Sequence, residues 1–132
     1  MRILVTGSRN LTDYNKVVMA ISAALETLYA NKPEDKKIVI VHGGAKGADT
    51  LAGDFVSQAR AYLKNLGYTI KEEIHKADWD NVGKYAGPIR NQRMVDCGAD
   101  ICVAFPEKES KGTKDCIRRA ERAGIPVEIY NV

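Results

Sequence analysis

Short apolar runs alternate along this chain with longer segments in which apolar residues recur at helical spacing. The apolar runs are rich in β-branched residues, which is typical of strands buried on both faces. Such strands, alternating with helices, favour an α/β fold: a Rossmann-like, doubly wound parallel sheet of about five strands in the order 3-2-1-4-5, with helices on both faces. We predict these strands at residues 2–6, 38–41, 68–74, 101–105 and 127–130.

The segments between these strands predict four helices. The first carries apolar positions over residues 17–28 and has Thr12 or Asp13 as its N-cap. The second follows the clearest helical stripe, over residues 51–66, and Gly67 suits a left-handed cap at its end. The other two are predicted at Pro88–Asp96 and Thr113–Ala123.

Residues 75–86 show no strong periodicity, and we predict a long loop there, which often has a functional role. This loop carries Trp79 and Tyr85, which would either stack on a nucleobase or anchor the loop to the body of the protein. Asp78 and Asp80 offer carboxylates to a magnesium ion, but adjacent acidic residues in a loop are usually solvated. We therefore assign no metal site.

The composition is that of an ordinary globular protein. A length of 132 residues suits a single domain, residues 1–132, and a net charge of +3 favours a small anionic ligand slightly over nucleic acid. The N-terminal apolar run is too short for a signal peptide or a membrane span, so we expect a cytoplasmic protein with no membrane partner. Cys97, Cys102 and Cys116 lack metal-ligand spacing and are expected to be reduced thiols.

Glycine and polar residues cluster where three of the predicted strands end. Gly7, Ser8 and Arg9 follow the first strand, residues 42–49 (HGGAKGAD) follow the second, and the loop after the fourth leads to Gly112. In a doubly wound sheet, ligands bind beyond the carboxyl ends of the strands, where the strand order reverses. We therefore expect the three loops to share one rim and to form an electropositive notch lined by amides.

The turn after the second strand resembles a phosphate-binding loop. Gly43, Gly44 and Gly47 would let the backbone approach an anion, because glycine accepts positive φ and carries no side chain. Amides at the start of the following helix, together with Lys46, would add positive charge. The alternative is a tight turn that only lets the helix pack. His42 offers a donor to a ligand, but a histidine beside a glycine turn is more often structural than catalytic.

A second helix start and two arginines point to the same chemistry. Gly112 and Thr113 offer free amides and a hydroxyl to a phosphate or a ribose, although a routine N-cap is the alternative. Arg9, after the first strand, and Arg90, on the third helix, carry guanidinium groups that bind phosphate or carboxylate in a bidentate way. Together these features favour a nucleotide-derived anion as the ligand.

Four motifs, in this order, are similar to those of the SLOG superfamily. They are GSR after the first strand, HGGAKGADTLA after the second, AGPIRNQRM on the third helix and FPEKESKGT before the fourth. That superfamily unites DprA/SMF proteins with LOG-type phosphoribohydrolases, and the chain most resembles its small stand-alone YspA/YpsA-related branch. The resemblance implies a Rossmann-like fold, a nucleotide or ADP-ribose-like ligand, a homodimer as one option, and relatives in bacteria and their phages.

The residues of LOG-type hydrolysis are only partly present. The resemblance implies an RKxxM helix and a PGGxGTxxE loop, which in LOG enzymes serve to cleave the N-glycosidic bond of a nucleoside monophosphate. Here Asn91 follows Arg90 in place of lysine, and Cys116 stands in place of the glutamate. Because glycosidic cleavage needs a positioned carboxylate, Asp49 and Asp115 remain as candidates, with Arg90 on the phosphate.

We therefore expect a nucleotide-binding module, acting as a sensor or carrier, with no certain cofactor beyond the nucleotide ligand. The alternatives are a LOG-like phosphoribohydrolase and a DprA-like protein that binds single-stranded DNA. The predicted ligand-binding residues are Gly7, Ser8, Arg9, His42, Gly43, Gly44, Lys46, Gly47, Asp49, Arg90, Asn91, Gly112 and Thr113.

Overall fold

The structure, a computed structural model, describes residues 1–132 and contains one sheet of five parallel strands. The strands are β1 (Arg2–Gly7), β2 (Lys37–His42), β3 (Thr69–Ile74), β4 (Ile101–Phe105) and β5 (Val127–Ile129). Their order across the sheet is β3-β2-β1-β4-β5, which confirms the predicted topology.

Five α-helices and one 3-10 turn connect the strands. The helices are α1 (Tyr14–Asn31), α2 (Ala48–Asn65), α3 (Trp79–Val82), α4 (Ala86–Asp96) and α5 (Lys111–Arg122), and the 3-10 turn is Gly83–Tyr85. Asp13 is the N-cap of α1, because its carboxylate accepts a hydrogen bond from the Lys16 amide at 3.2 Å. None of these helices has the length and apolar character that crossing a membrane requires.

The central strand β1 determines where a ligand can bind. It pairs with β2 on one side, with Ile3 opposite Ile40, and with β4 on the other, with Ile3 opposite Ile101. The chain runs outward from β1 to β2 and β3 and then crosses to β4, so the strand order reverses between β1 and β4. At such a point the loops that follow the two strands diverge and leave a crevice.

Two apolar clusters cover the two faces of the sheet. Alternate residues of β1 point to opposite faces: Ile3 and Val5 pack with helices α1 and α2, whereas Leu4 packs with Met94 of α4 and Cys116 of α5. Burial of each large aliphatic side chain contributes about 1.5–3 kcal/mol. The predicted arrangement, a parallel sheet between two helical layers, is therefore confirmed.

The prediction of a long loop over residues 75–86 is wrong. This segment contains α3 and the 3-10 turn, and α4 begins at Ala86 rather than at Pro88. The Asp78 carboxylate accepts a hydrogen bond from the Asn81 amide at 3.3 Å and caps α3. No residue of α3 is buried, so the sequence carries no apolar periodicity that would reveal the helix.

Two other helices begin earlier than predicted. Helix α2 begins at Ala48, whose small side chain is already buried in the core, whereas the apolar stripe becomes clear in the sequence only from Leu51. Helix α5 begins at Lys111, with Ser110 as the N-cap residue, so Gly112 and Thr113 lie within its first turn rather than at its cap. The amides of the first turn remain without partners in the helix in either case.

Candidate functional site

A cleft of about 540 Å³ opens beyond the carboxyl ends of the central strands. Its walls come from the loop after β1, the turn after β2, the loop after β4, and residues of α3 and α4. Only two of its 20 lining residues are hydrophobic, which suits a ligand rich in phosphate and hydroxyl groups better than an apolar one. The three strand-end loops therefore converge on one rim, as the sequence predicts.

Eight of the thirteen residues predicted to bind a ligand line this cleft. They are Gly7, Ser8, Arg9, Asp49, Arg90, Asn91, Gly112 and Thr113. The five that lie outside its lining all belong to the end of β2 and the turn that follows: His42, Gly43, Gly44, Lys46 and Gly47.

The β2–α2 turn, residues 43–47, is occupied by a carboxylate of the protein itself. Oδ2 of Asp49 accepts hydrogen bonds from the Gly43 amide at 3.1 Å and from the Ala45 amide at 3.2 Å. Asp49 lies in the first turn of α2, where the helix dipole favours a negative charge. The Gly43 and Ala45 amides therefore face an internal anion, whereas the Asp49 and Thr50 amides at the start of α2, where a phosphate was expected, donate to no acceptor in the protein.

The glycines of this turn are required for close packing around it. Gly47 has φ +76°, and a Cβ there would overlap the Ser8 carbonyl oxygen and approach Arg9 Cα to 2.7 Å. A Cβ on Gly43 would overlap Nη1 of Arg90. The glycine-rich sequence thus lets the turn pack against the β1 loop and the Arg90 guanidinium, which is the structural alternative weighed for it above.

Asp49 is a buried carboxylate with one open oxygen. Its relative exposure is 7%, and burial raises its pKa, although the Ala45 amide, His42, Arg90 and the Gly43 amide oppose that rise. Oδ1 accepts no hydrogen bond, yet no buried polar side-chain atom lacks a partner, so Oδ1 is accessible from the cleft. Asp49 thus presents to the cleft a carboxyl oxygen that holds a proton more readily than an ordinary aspartate.

Arg90 is held in position by backbone carbonyls and retains a free donor. Its Nη1 donates to the Gly43 carbonyl at 2.9 Å and to the His75 carbonyl at 3.3 Å, and its Nε donates to Oδ1 of Asn91 at 3.0 Å. Nη2 has no acceptor within the protein. The guanidinium is therefore oriented before any ligand arrives, which lowers the entropic cost of binding an anion.

Asn91 links α4 to the start of α5. It is 4% exposed, and its Nδ2 donates to the Gly112 carbonyl at 3.2 Å and to Oδ2 of Asp115 at 3.0 Å. Burial alone would raise the pKa of Asp115, but hydrogen bonds from Arg119 and Asn91 hold it below its usual value. Asp115 is therefore an ionised residue that positions α5. The two candidate carboxylates differ, because the pKa of Asp49 is raised and that of Asp115 is lowered.

The β4–α5 loop, residues 106–110, and the first turn of α5 have open amides. The Lys111 amide donates to Glu109 and the Lys114 amide donates to Ser110, whereas the Gly112 and Thr113 amides donate to no acceptor in the protein. Both residues line the cleft, and a Cβ on Gly112 would meet no atom within 4 Å. This helix start is therefore free to receive an anion.

The charges around the cleft are balanced rather than positive. Four cationic side chains, Arg9, Lys84, Arg90 and Lys111, face four acidic ones, Asp49, Glu107, Glu109 and Asp115. The expectation of an electropositive notch is therefore wrong, because the formal charges of these side chains cancel. Single cationic side chains and the free amides remain as donors to an anion. Sequence reasoning missed Glu107, whose carboxylate accepts hydrogen bonds from Ser8 Oγ at 2.6 Å and Asn10 Nδ2 at 3.3 Å. No local pattern marks it among the acids of its loop.

An aromatic ring lies at the mouth of the cleft. Trp79 is 47% exposed, the Arg9 guanidinium carbon lies 6.0 Å from the centre of its ring, and a Cβ on Gly87 would come within 3.0 Å of it. The ring therefore contacts the protein and also keeps an accessible surface, so its position is compatible both with anchoring this segment and with stacking on a nucleobase. Tyr85 does not line the cleft, and Asp78 serves as a helix cap.

Two residues named in the sequence analysis take structural positions. Nδ1 of His42 accepts a hydrogen bond from the Gly44 amide at 3.0 Å, so Nε2 carries the proton and donates to Glu72 at 2.7 Å. Cys116 is fully buried, and burial raises its pKa to about 11. Its thiol neither lines the cleft nor ionises near neutral pH, so it does not replace the LOG-type glutamate.

Comparison with known proteins identifies a family and a relative of this chain. The sequence profile of YAcAr, described as the YspA, cpYpsA-related SLOG family, matches residues 1–81. The chain is also 42% identical over 126 residues to the Gene 61 protein of Mycobacterium phage D29, a match that covers 96% of this chain and 93% of the phage protein. No solved structure matches the chain.

Proposed function

Because this chain belongs to the YspA, cpYpsA-related SLOG family, we propose that its cleft binds a nucleotide or nucleotide-derived ligand, as a sensor or carrier. The observation that carries this proposal is the convergence of three strand-end loops on one polar cleft where the strand order reverses. A volume of about 540 Å³ lies in the range of small-molecule sites.

The phosphate end of the ligand is assigned to the start of α5. The unpaired Gly112 and Thr113 amides lie at the positive end of the helix dipole, and a phosphate there would receive two main-chain hydrogen bonds. Free Nη2 of Arg90 is the second donor assigned to the anion. These groups need no rearrangement, because Asn91 and the Gly43 carbonyl already hold them in place.

The base end is assigned to Trp79. An aromatic face contributes about 1–3 kcal/mol when a nucleobase stacks on it, and it does so without strong preference among bases. The ring lies beside Gly87 and Arg9 but is 47% exposed, which leaves part of its surface for such a contact. This division of roles favours ligands that carry both a phosphate and a base, such as AMP, ADP-ribose or NAD.

Thermal unfolding with a panel of these three nucleotides tests the proposal. A ligand at about 100 times its Kd raises the free energy of unfolding by about 2.7 kcal/mol, so at least one should raise Tm by several degrees. Arg90→Ala and Trp79→Ala should each reduce that shift, measured against the variant's own ligand-free Tm. Arg93→Ala is the matched control, because Arg93 is exposed on the same helix and does not line the cleft. An unchanged Tm across the panel would contradict the proposal.

The second candidate function is hydrolysis of the N-glycosidic bond of a nucleoside monophosphate. The observation that favours it is Asp49, whose buried carboxyl group has a raised pKa and an oxygen open to the cleft. Such a group is suited to protonating a leaving base or to activating water. Asp115 is less suited to acid catalysis, since Arg119 and Asn91 keep it ionised.

Chromatography for free base after long incubation of AMP with the protein tests this second candidate. Release of adenine that Asp49→Asn abolishes and Asp115→Asn only reduces would support a catalytic Asp49. If no base appears at high protein concentration while the Tm shift persists, the protein binds nucleotides without cleaving them. Single-stranded DNA binding is disfavoured by the balanced charge of the cleft, and a gel shift at low salt checks it.

A further inference from the structure

We propose that Glu73, His75 and Cys97 form a Zn²⁺ site that is separate from the nucleotide cleft. A carboxylate oxygen, an imidazole nitrogen and the thiol sulfur of these residues all lie within 4.8 Å of one another. None of the three residues lines the cleft, so the site does not depend on the proposed function.

The fold brings these residues together from distant parts of the sequence. Glu73 is in β3, and His75 lies two residues further along the chain, directly after the end of that strand. Because side chains alternate between the two faces of a strand, both lie on the same face of the sheet. Cys97 is the C-cap residue of α4, which packs on that face. Because β3 is an edge strand, this part of the face remains accessible to an ion: Cys97 is exposed and the His75 side chain is 13% exposed.

The combination of donors selects the metal. Thiolate sulfur and imidazole nitrogen are borderline or soft ligands, and with one carboxylate they suit Zn²⁺ better than Mg²⁺ or Ca²⁺, which prefer oxygen. In a tetrahedral zinc site, neighbouring donors are roughly 3.3–3.7 Å apart, given Zn–ligand distances of about 2.0–2.3 Å. Rotation of the exposed Cys97 side chain can bring the sulfur to this spacing, and the His75 and Glu73 donor atoms, 2.9 Å apart, must separate slightly to reach it. Three protein ligands leave the fourth position for water.

Arg2 is the outer partner of this site. Its Nη2 and Nη1 donate to the two oxygens of Glu73 at 2.7 and 3.1 Å, and its Nε donates to the Gly98 carbonyl at 2.9 Å. These hydrogen bonds keep Glu73 ionised and hold it in one orientation, as outer-shell partners of metal ligands do. A Zn²⁺ ion with one thiolate and one carboxylate is formally neutral, so the guanidinium can remain beside it.

Binding exchanges protons for the metal in a balanced way. The Cys97 thiol releases its proton to solvent as the sulfur–zinc bond forms. His75 Nε2 lies 2.9 Å from Oε2 of Glu73. To bind Zn²⁺ through Nε2, the neutral imidazole carries its one proton on Nδ1, and the two donor atoms separate to roughly 3.3 Å with the ion between them. Neither exchange involves oxidation or reduction.

Titration of the full-length, chelator-treated protein with Co²⁺ and Zn²⁺ tests the site. Co²⁺ should produce a thiolate-to-cobalt charge-transfer band together with the visible bands of tetrahedral cobalt, and one equivalent of Zn²⁺ should displace it. Cys97→Ser should abolish the charge-transfer band. His75→Ala should weaken Zn²⁺ binding, measured by competition with a chromophoric chelator, by at least about tenfold, since even outer-shell partners contribute about 10- to 100-fold.

The matched control is Glu34→Gln, which removes an exposed carboxylate outside the cluster and should leave Zn²⁺ affinity unchanged. The Cys97 side chain is exposed and its thiol makes no hydrogen bond, so Cys97→Ser should fold like the parent protein, as circular dichroism would verify. The proposal is overturned if the parent protein shows no charge-transfer band, if Cys97→Ser retains the band, or if His75→Ala binds Zn²⁺ as tightly as Glu34→Gln. Nucleotide-induced Tm shifts in Cys97→Ser report on the cleft separately.

Discussion

The β2–α2 turn and the β4–α5 loop with the first turn of α5 have equivalent places in the fold but differ in what their amides bind. Each leads from a buried strand into a helix at the same rim of the sheet. In the first, Asp49 accepts hydrogen bonds from the Gly43 and Ala45 amides. In the second, the Gly112 and Thr113 amides have no acceptor. Amides where a strand leads into a helix are therefore open to an external anion only where no internal carboxylate already accepts their hydrogen bonds.

The largest effect is expected from Asp49→Ala. This change leaves the buried Gly43 amide and the partly buried Ala45 amide without an acceptor, which should lower the free energy of unfolding by about 3 kcal/mol. Asp49→Asn keeps one carbonyl oxygen as an acceptor and should lose less. Urea denaturation of the two variants and the parent measures the difference.

The same variant provides a direct test of the comparison. If Asp49 acts as a built-in anion, then sulfate should bind to the vacated β2–α2 turn and raise the Tm of Asp49→Ala more than that of the parent protein. An equal response of the two proteins to sulfate would show that the Asp49 carboxylate does not keep an external anion from the amides of the β2–α2 turn.

A somewhat smaller effect is expected from Gly43→Ala. The added Cβ would overlap the Arg90 guanidinium, which must shift, so the free energy of unfolding should fall by about 2 kcal/mol. Displacement of Arg90 should also weaken any nucleotide-induced Tm shift. Retention of both parental stability and the full ligand response would mean that the close packing of Arg90 on this turn is unimportant.

The pH dependence of stability should reveal the raised pKa of Asp49. Because the folded protein holds the Asp49 proton more tightly than the unfolded chain does, this residue favours folding at low pH, and that contribution is lost as pH rises from about 4 through the folded pKa. The stability of the parent relative to Asp49→Asn should therefore fall over this interval. A relative stability that rises with pH would show that the carboxylate is stabilised by its two amides more than it is penalised by burial.

The smallest effect is expected from Gly112→Ala. A Cβ at this position meets no atom within 4 Å, and alanine restricts the unfolded chain, so the free energy of unfolding should rise by about 0.5 kcal/mol. The urea-denaturation midpoint should therefore rise in Gly112→Ala and fall in Gly43→Ala. This difference in sign distinguishes the open amides at the start of α5 from the occupied amides of the β2–α2 turn. A clear loss of stability in Gly112→Ala would remove that contrast.

The amino-acid sequence was sufficient to predict the sheet and the position of the cleft. Apolar runs in β1, β2 and β4 and the helical stripe of α2 report burial, which is the dominant favourable contribution to folding and recurs with the period of each element. Once the strand order is known, the ends of β1, β2 and β4 must meet at one rim. Helix α3 was not predicted, because it buries no residue and therefore shows no apolar periodicity; its N-terminus is capped by the Asp78 carboxylate.

Only the tertiary structure decided which polar groups are occupied. A hydrogen bond forms or fails over a few tenths of an ångström, and no sequence period reports that distance. The sequence of the β2–α2 turn does not reveal that the Asp49 carboxylate accepts hydrogen bonds from its amides or that Arg90 packs on Gly43. The sequence of the β4–α5 loop does not reveal that Glu107 accepts a hydrogen bond from Ser8. Nor does it reveal that Cys97 lies beside His75, because helix packing rather than chain spacing brings them together. Burial is encoded residue by residue along the chain, whereas the pairing of donors and acceptors is a property of the folded arrangement.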